Sequence, residues 1–335
     1  MRKSRVALLA VLAVLVVAAA LASVFALSWY REALPLPRSP FEFEVRAGAP
    51  LSTVARRLRD AGVIPHPYAL TLLARAKGVD RAIKAGSYEL ENGITLSGLL
   101  AKLTQGDVTQ TAVTIVEGTT FAEALRALRA APDVAHEAAA LSDAELLQRI
   151  GAVEKNPEGL LFPDTYFLAT GSSDIALLRR AYLSLHARLD AAWANRAPDL
   201  PFATPYEALI LASIVEKETA HTDDRPLIAS VFVNRLKRGM RLQTDPTVIY
   251  GMGARFDGNL RKRDLEADTP YNTYVRDGLP PTPIALPSQA SIDVVMNPPK
   301  TPYIYFVSRG DGTSEFSANL ADHNRAVSKY QKGGR

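Results

Sequence analysis

The chain has no cysteine in 335 residues. That excludes a disulfide framework, a thiol nucleophile and any cysteine-ligated metal. It suits a protein that works outside the reducing cytoplasm and avoids stray oxidation. Three signatures of common catalytic machinery are also missing: a His-Glu-x-x-His metal helix, a Walker-type phosphate loop and a dinucleotide glycine fingerprint. His221 beside Asp223 and Asp224 is a single histidine near acids, too little for a metal site. No cofactor and no metal are expected. The excess of positive charge is equally thin. Arg2, Lys3 and Arg5 come before the first apolar run, and the 39 basic residues less these three leave 36 against 35 acidic ones. A nearly neutral remainder has no footprint for a phosphate backbone, so no nucleic-acid partner is expected.

What the chain does have begins with a long apolar run. Residues 6–27, VALLAVLAVLVVAAALASVFAL, carry no charge and exceed the roughly 20 residues that cross a bilayer as a helix. Trp29 and Tyr30 follow, as an interfacial belt would, and the basic residues on the N-terminal side predict a cytoplasmic N-terminus. Residues 1–30 read as a basic tip and a single-pass anchor in the inner (cytoplasmic) membrane, with the rest of the chain periplasmic. The alternatives are a cleaved signal peptide, with Ala20-Leu21-Ala22 as the cleavage site, and a core helix. Residues 31–40, with Pro35, Pro37 and Pro40, read as a stiff spacer.

The remainder reads as α+β. In residues 41–106, FEFEV alternates like a strand, two amphipathic helices end at Gly62 and Gly78, and AGSYEL returns as a strand. A further helix starts near Thr95 or Ser97. The βααβ order resembles a LysM-like module, a fold associated with N-acetylglucosamine-containing glycans. The plain alternative is a packing domain that positions the C-terminal part of the chain. Residues 107–204 read as a connecting α/β region: a strand over 108–116, a helix after Gly118, another over 141–150, and a long one over 174–193 with Asp174 as its cap. Within it, EGLLFPDTYF (158–167) gathers aromatics and a carboxylate around Pro163. It reads either as an exposed sugar-binding wall or as a turn packed on the next helix. Residues 205–335 read as a mixed α/β domain, the candidate catalytic one on the residues that follow.

That domain opens with LILASIVEKET (209–219). Pro205 is suited to the first position of a helix, and nothing from Tyr206 to Lys217 breaks one. At helical spacing Leu211, Ile214 and Val215 share a buried face, and Glu218 falls on it. Glu216 lies roughly 160° away from Glu218 around the helix. A carboxyl at the end of a buried stripe loses water, its pKa rises, and it becomes a candidate general acid. The alternative is a helix-end glutamate satisfied by backbone or an arginine.

Further on, ASIVEKET, VFVNRL, RLQTDPTVIYG, TPYNTY, GLPPTPI and YFVSRGDGTSEFSANLADHN stand in order. Together they resemble the YceG-like family, over nearly the whole chain. The resemblance implies a membrane-anchored lytic transglycosylase that cuts nascent peptidoglycan strands internally, between N-acetylmuramic acid and N-acetylglucosamine. It leaves 1,6-anhydro-muramic acid ends and ends glycan elongation. The resemblance also makes the second glutamate of EKE, Glu218, the catalytic residue, the same one that helical phase selects. Gln243, Thr244, Asp245, Tyr250, Tyr271, Asn272, Thr273, Tyr274 and Asn319 are candidates to line the glycan cleft, with His323 and Asn324 as further polar candidates. Asp245 could instead be a helix cap. The expected partners are nascent glycan strands and peptidoglycan synthases. Two other readings stay open: a muramidase-type hydrolase using Asp245 as a second carboxylate, and a non-enzymatic glycan-binding scaffold for wall synthases.

Overall fold

The computed structural model describes residues 32–46, 48–106, 110–132, 134–169, 171–219 and 221–331. The apolar run at 6–27 lies outside them. Among the described residues no helix is long and apolar enough to cross a membrane. The fold mixes helices with small two-stranded sheets. The chain divides into two compact units, residues 1–111 with 168–172, and 112–167 with 173–335.

The first unit pairs β1 (Phe41–Val45) antiparallel with β2 (Gly86–Leu90), so that Phe43 stands opposite Tyr88. Between the strands lie α1 (Leu51–Asp60) and α2 (Pro67–Ala76), and α3 (Leu96–Gln105) follows. Leu51, Val54, Ala55 and Leu58 form the buried stripe of α1, the i, i+3, i+4, i+7 pattern of an amphipathic helix. The buried stripes of α1 and α3 close over Tyr88 and Leu90 in one core. Thr95 caps α3 by accepting from Gly98 N–H, and Gly106 ends it in the left-handed conformation at φ 76°, where glycine carries no Cβ penalty. The proline-rich stretch does not stand clear of this unit. Leu34 and Leu36 pack on its core, and Leu34 N–H donates to Ile94 O at 2.7 Å.

The second unit is mostly helical. The greater part of β3 (Gln110–Thr114) and of its sheet partner β4 (Thr165–Ala169) belongs to it, with α4 (Phe121–Arg129), α5 (Asp143–Ile150) and α6 (Asp174–Ala194). These lead to α7 (Pro205–Glu218), α8 (Asp224–Lys237), α9 (Asp245–Met252), α10 (Lys262–Glu266) and α11 (Gln289–Met296). The hairpin β5 (Tyr305–Ser308) and β6 (Ser314–Ser317) and α12 (Leu320–Tyr330) complete it. α7 packs against α6, α8, α9 and α11, and β5 packs on α8. Phe232 of α8 meets Phe306 of β5 edge-on at 5.8 Å.

One sequence expectation changes, and one pair of alternatives is decided. Asp174 does not cap α6. Ser173 does, and the buried Asp174 carboxylate accepts from Ala138 N–H at 3.0 Å. The 158–167 segment is not an exposed wall: Glu158, Phe162 and Tyr166 are buried, and Phe162 N–H donates to Ala181 O of α6. This is the packed turn, with Phe167 alone of these aromatics left exposed. The final segment is a hairpin followed by a helix, because Asn319 supplies an N-cap that ends strand geometry and starts α12.

Candidate active site

α7 carries the site. Thr204 caps it by accepting from Glu207 N–H, and Pro205 occupies the first turn, where its missing N–H costs nothing. Every residue from Ala208 to Val215 is buried. The sequence pattern suggests one buried face, but the helix is enclosed all round, which lets it act as a rigid post. Ser213 is the only polar side chain in that run. It donates to Ile210 O at 2.7 Å and accepts from Ile284 N–H at 3.0 Å. The stiff Leu279–Ile284 segment is thereby fixed to the post.

The two glutamates at its end diverge. Glu216 Oε2 accepts from Ser288 N–H at 3.0 Å, Ser288 Oγ at 2.5 Å and Ser291 Oγ at 2.7 Å. A carboxylate placed there meets the positive end of α11 and accepts the N–H of its N-cap residue, Ser288. Glu216 ties the end of α7 to the start of α11, whose N-cap is Ser288.

Glu218 instead faces a cavity of about 510 Å³, lined also by Arg235, Gln243, Thr244, Asp245, Tyr274 and Tyr305. Part of its surface stays open to the cleft, while its carboxyl is enclosed on the protein side. Desolvation dominates and pushes its pKa up to about 7. A hydrogen bond from Thr244 Oγ1 opposes this, the negative charge of Asp245 adds to it, and the Arg235 guanidinium offsets part of it. A carboxyl with a pKa near neutrality carries a proton and can also release it.

The walls are built from bonds that leave little freedom. Thr244 is buried; its N–H donates to Thr273 Oγ1 at 3.1 Å, and Gln243 N–H donates to Thr273 O at 3.1 Å. Gln243 holds φ at +50°, a left-handed conformation unusual for a residue with a Cβ. Tyr274 OH donates to Asp245 Oδ1 at 2.5 Å, and that bond and the nearby carboxylates, with burial first, push the Tyr274 phenol up. Arg235 is 7% exposed. It donates to three backbone carbonyls: Nε to Ile304 O at 2.7 Å, and Nη1 to Leu242 O at 2.6 Å and Arg241 O at 3.5 Å. His323 lines the same cavity and stacks on Tyr305 at 5.0 Å; burial and then Arg235 hold its pKa below the usual value.

The sequence candidates thus fall into four places. Glu218, Gln243, Thr244, Asp245 and Tyr274 line one cavity, with His323 and Asn324. Asn272 and Thr273 are fully enclosed behind it. Asn272 Nδ2 donates to Asp264 O, Leu265 O and Ala267 O, and its Oδ1 accepts from Tyr274 N–H. Tyr250 and Tyr271 pack edge-on at 4.8 Å in a separate cluster, where Tyr250 OH donates to the buried Glu158 at 3.1 Å. Asn319 caps α12 through Asp322 N–H. Sequence reasoning missed Arg235 and Tyr305. The signal for Arg235 was available: it sits four after Val231 and seven after Ile228, an arginine on a buried helical face. Among the described residues no group of three or more His, Asp or Glu side chains gathers as a metal ligand set.

With this geometry in place, comparison with known proteins is decisive for the family. The YceG-like family model matches residues 43–329. The chain belongs to the YceG-like family. It is 31% identical to the endolytic murein transglycosylase of Bacillus subtilis, over 88% of this chain and 85% of that one. It is 29% identical to the endolytic murein transglycosylase of Streptococcus pneumoniae, over 84% of this chain but 57% of that longer protein. A crystal structure of a yceG-like protein from Listeria monocytogenes superposes with a TM-score of 0.52 at 30% identity, covering 86% of this chain and 99% of that one. The YceG-like motifs are far apart in sequence, yet EKE, VFVNRL, RLQTDP, TPYNTY, YFVS and LADHN each send residues to the cavity that Glu218 faces.

Proposed function

We propose that the chain is an endolytic murein transglycosylase in which Glu218 acts as acid and then as base. The observation that carries this is one protonatable carboxyl, with its pKa pushed up to about 7, at the wall of an open polar cleft. Protonated Glu218 gives its proton to the oxygen of the bond between N-acetylmuramic acid and N-acetylglucosamine as that bond breaks. The resulting carboxylate takes the proton of the sugar's own 6-hydroxyl as that oxygen closes onto the anomeric carbon. Protons balance, no water enters, and a 1,6-anhydro-muramic acid end is left. Arg235 steadies the carboxylate between the two steps, and Thr244 orients it.

A hydrolase has one observation in its favour, since Asp245 is a second carboxylate lining the same cleft. Against it, the bond from Tyr274 OH ties up one Asp245 oxygen, and an inverting or retaining hydrolase needs that group free to activate water or attack. The full reading adds an anchor at residues 6–27 with the N-terminus cytoplasmic, a periplasmic site, a LysM-like module at 41–106 that meets glycan, and peptidoglycan synthases as partners.

The test is product chemistry. Purified full-length protein incubated with uncrosslinked glycan strands should release fragments whose mass matches anhydro ends, and Glu218→Gln should release none. Reducing ends lost on Asp245→Asn would establish the hydrolase instead, and full complementation of a deletion by folded Glu218→Gln would leave only the scaffold.

A further inference from the structure

The first unit is tied to its own N-terminal stretch. Leu34 N–H donates to Ile94 O, Ala33 bridges Thr95, and Leu34 and Leu36 pack on the core. The chain is therefore bound to this unit from Ala33 onward. Only residues 28–32 separate it from the apolar run that ends at Leu27. Fully extended, that stretch reaches about 20 Å. If the run spans the bilayer, as the proposed function holds, the unit cannot stand off the membrane.

The side it would present is marked. Residues 32–35 lie in a cavity shared with His66 and Ala69, at the first turns of α2. Among the described residues of this unit, the two exposed large apolar ones, Tyr68 at 77% and Leu72 at 63%, lie on that same helix one turn apart. Arg75 continues the stripe at i+7 from Tyr68. With Thr71 it lines a second cavity of about 420 Å³, together with Arg46, Arg81 and Asp80. No acidic residue lies on α2 itself. A tyrosine and a leucine beside arginines match an interface. The apolar groups enter the headgroup boundary, the guanidiniums pair with phosphates, and long side chains keep their charge at the wet edge.

We infer that the α2 face, Tyr68 and Leu72 with Arg46, Arg75 and Arg81, docks on the phospholipid surface that holds the anchor. This rests on the anchor proposed above. The consequence is functional: the unit is held at the bilayer surface.

The absence of cysteine makes the test direct. Tyr68→Cys and Leu72→Cys, each labelled with an environment-sensitive fluorophore, are placed as full-length protein in nanodiscs containing anionic phospholipid and a nitroxide lipid labelled near the headgroup. Both labels should be blue-shifted and quenched several-fold. Arg46→Gln/Arg75→Gln/Arg81→Gln should lose most of that quenching, as should high salt. Failure of the full chain to enter nanodiscs would overturn the anchor and this inference with it. Entry with labels that stay as exposed as in detergent would overturn the docking alone. Shielding that needs added glycan strands and ignores the nitroxide would assign the face to glycan and overturn it too. A thermal unfolding midpoint matching the parent shows that the arginine variant is folded.

Discussion

Thr244 donates its hydroxyl to Glu218 Oε1 while its own N–H is held by Thr273 Oγ1 at 3.1 Å. The proposed acid is therefore oriented by a residue that is itself pinned from behind. Thr244→Val keeps shape and removes the donor. The Thr244 bond lowers the Glu218 pKa, so its loss makes the group a weaker acid. Turnover should fall on the order of tenfold, the equivalent of about 1.4 kcal/mol, with the alkaline limb of the rate profile moving to higher pH. An unchanged limb would show that the bond is structural only.

Glu218→Gln should lower turnover about a hundredfold to ten-thousandfold, the range for losing acid–base assistance. The same change has a sign for stability. A carboxyl whose folded pKa is raised to about 7 favours the folded state below its unfolded pKa, and that contribution is lost as pH rises through about 7. Above pH 8 the wild-type chain holds a desolvated carboxylate at a cost of up to about 3 kcal/mol. Glu218→Gln should therefore unfold at higher temperature than wild type at pH 8.5 and at a similar temperature at pH 4. Calorimetry at the two pH values checks this. For activity the group must start protonated, so wild-type turnover should fall as pH rises through about 7.

Glu216 provides the contrast. All three of its bonds run to Ser288 and Ser291 at the start of α11. Glu216→Ala leaves Ser288 N–H and the two serine hydroxyls without their acceptor and should cost about 1.5–3 kcal/mol. Glu216→Gln, which keeps an accepting oxygen, should cost less and retain anhydro product. Chemical denaturation together with product analysis separates the two glutamates: one variant loses stability, the other chemistry.

That division was legible in the sequence because it is local. Helical phase alone sends Glu216 and Glu218 to different sides, and Pro205 marks where the helix begins. Helices with caps and periodic stripes were legible for the same reason, as α1 and α3 show. The cleft walls were not, because they depend on contacts between distant segments. Asn272 and Thr273 look like polar candidates for sugar, yet they are buried against loop backbone and α9. For Glu158 the sequence leaves an exposed and a packed reading open, and the fold closes it onto Phe121 N–H and Tyr250 OH. No local pattern encodes a partner 37 or 92 residues away.

Arg235 is where that long-range information most affects chemistry. Its guanidinium is buried, with three backbone carbonyls as its hydrogen-bond partners, and it faces the cavity that Glu218 enters. Burial pushes its pKa down from the arginine value, but a guanidinium keeps its charge at any working pH. That charge lowers the Glu218 pKa against desolvation and Asp245. Arg235→Gln removes it, so Glu218 should stay protonated to higher pH and the alkaline limb should move up. The maximal rate should fall because the acid is weaker. The lost carbonyl bonds also cost stability, about 1.5–3 kcal/mol for bonds from a charged donor. Arg235→Lys restores charge without the fork. It should bring the limb back toward wild type while leaving most of the stability loss, and pH–rate profiles beside thermal unfolding read the two effects apart. If both variants lose stability and neither moves the limb, Arg235 braces residues 241–242 and 304 and does nothing for the acid.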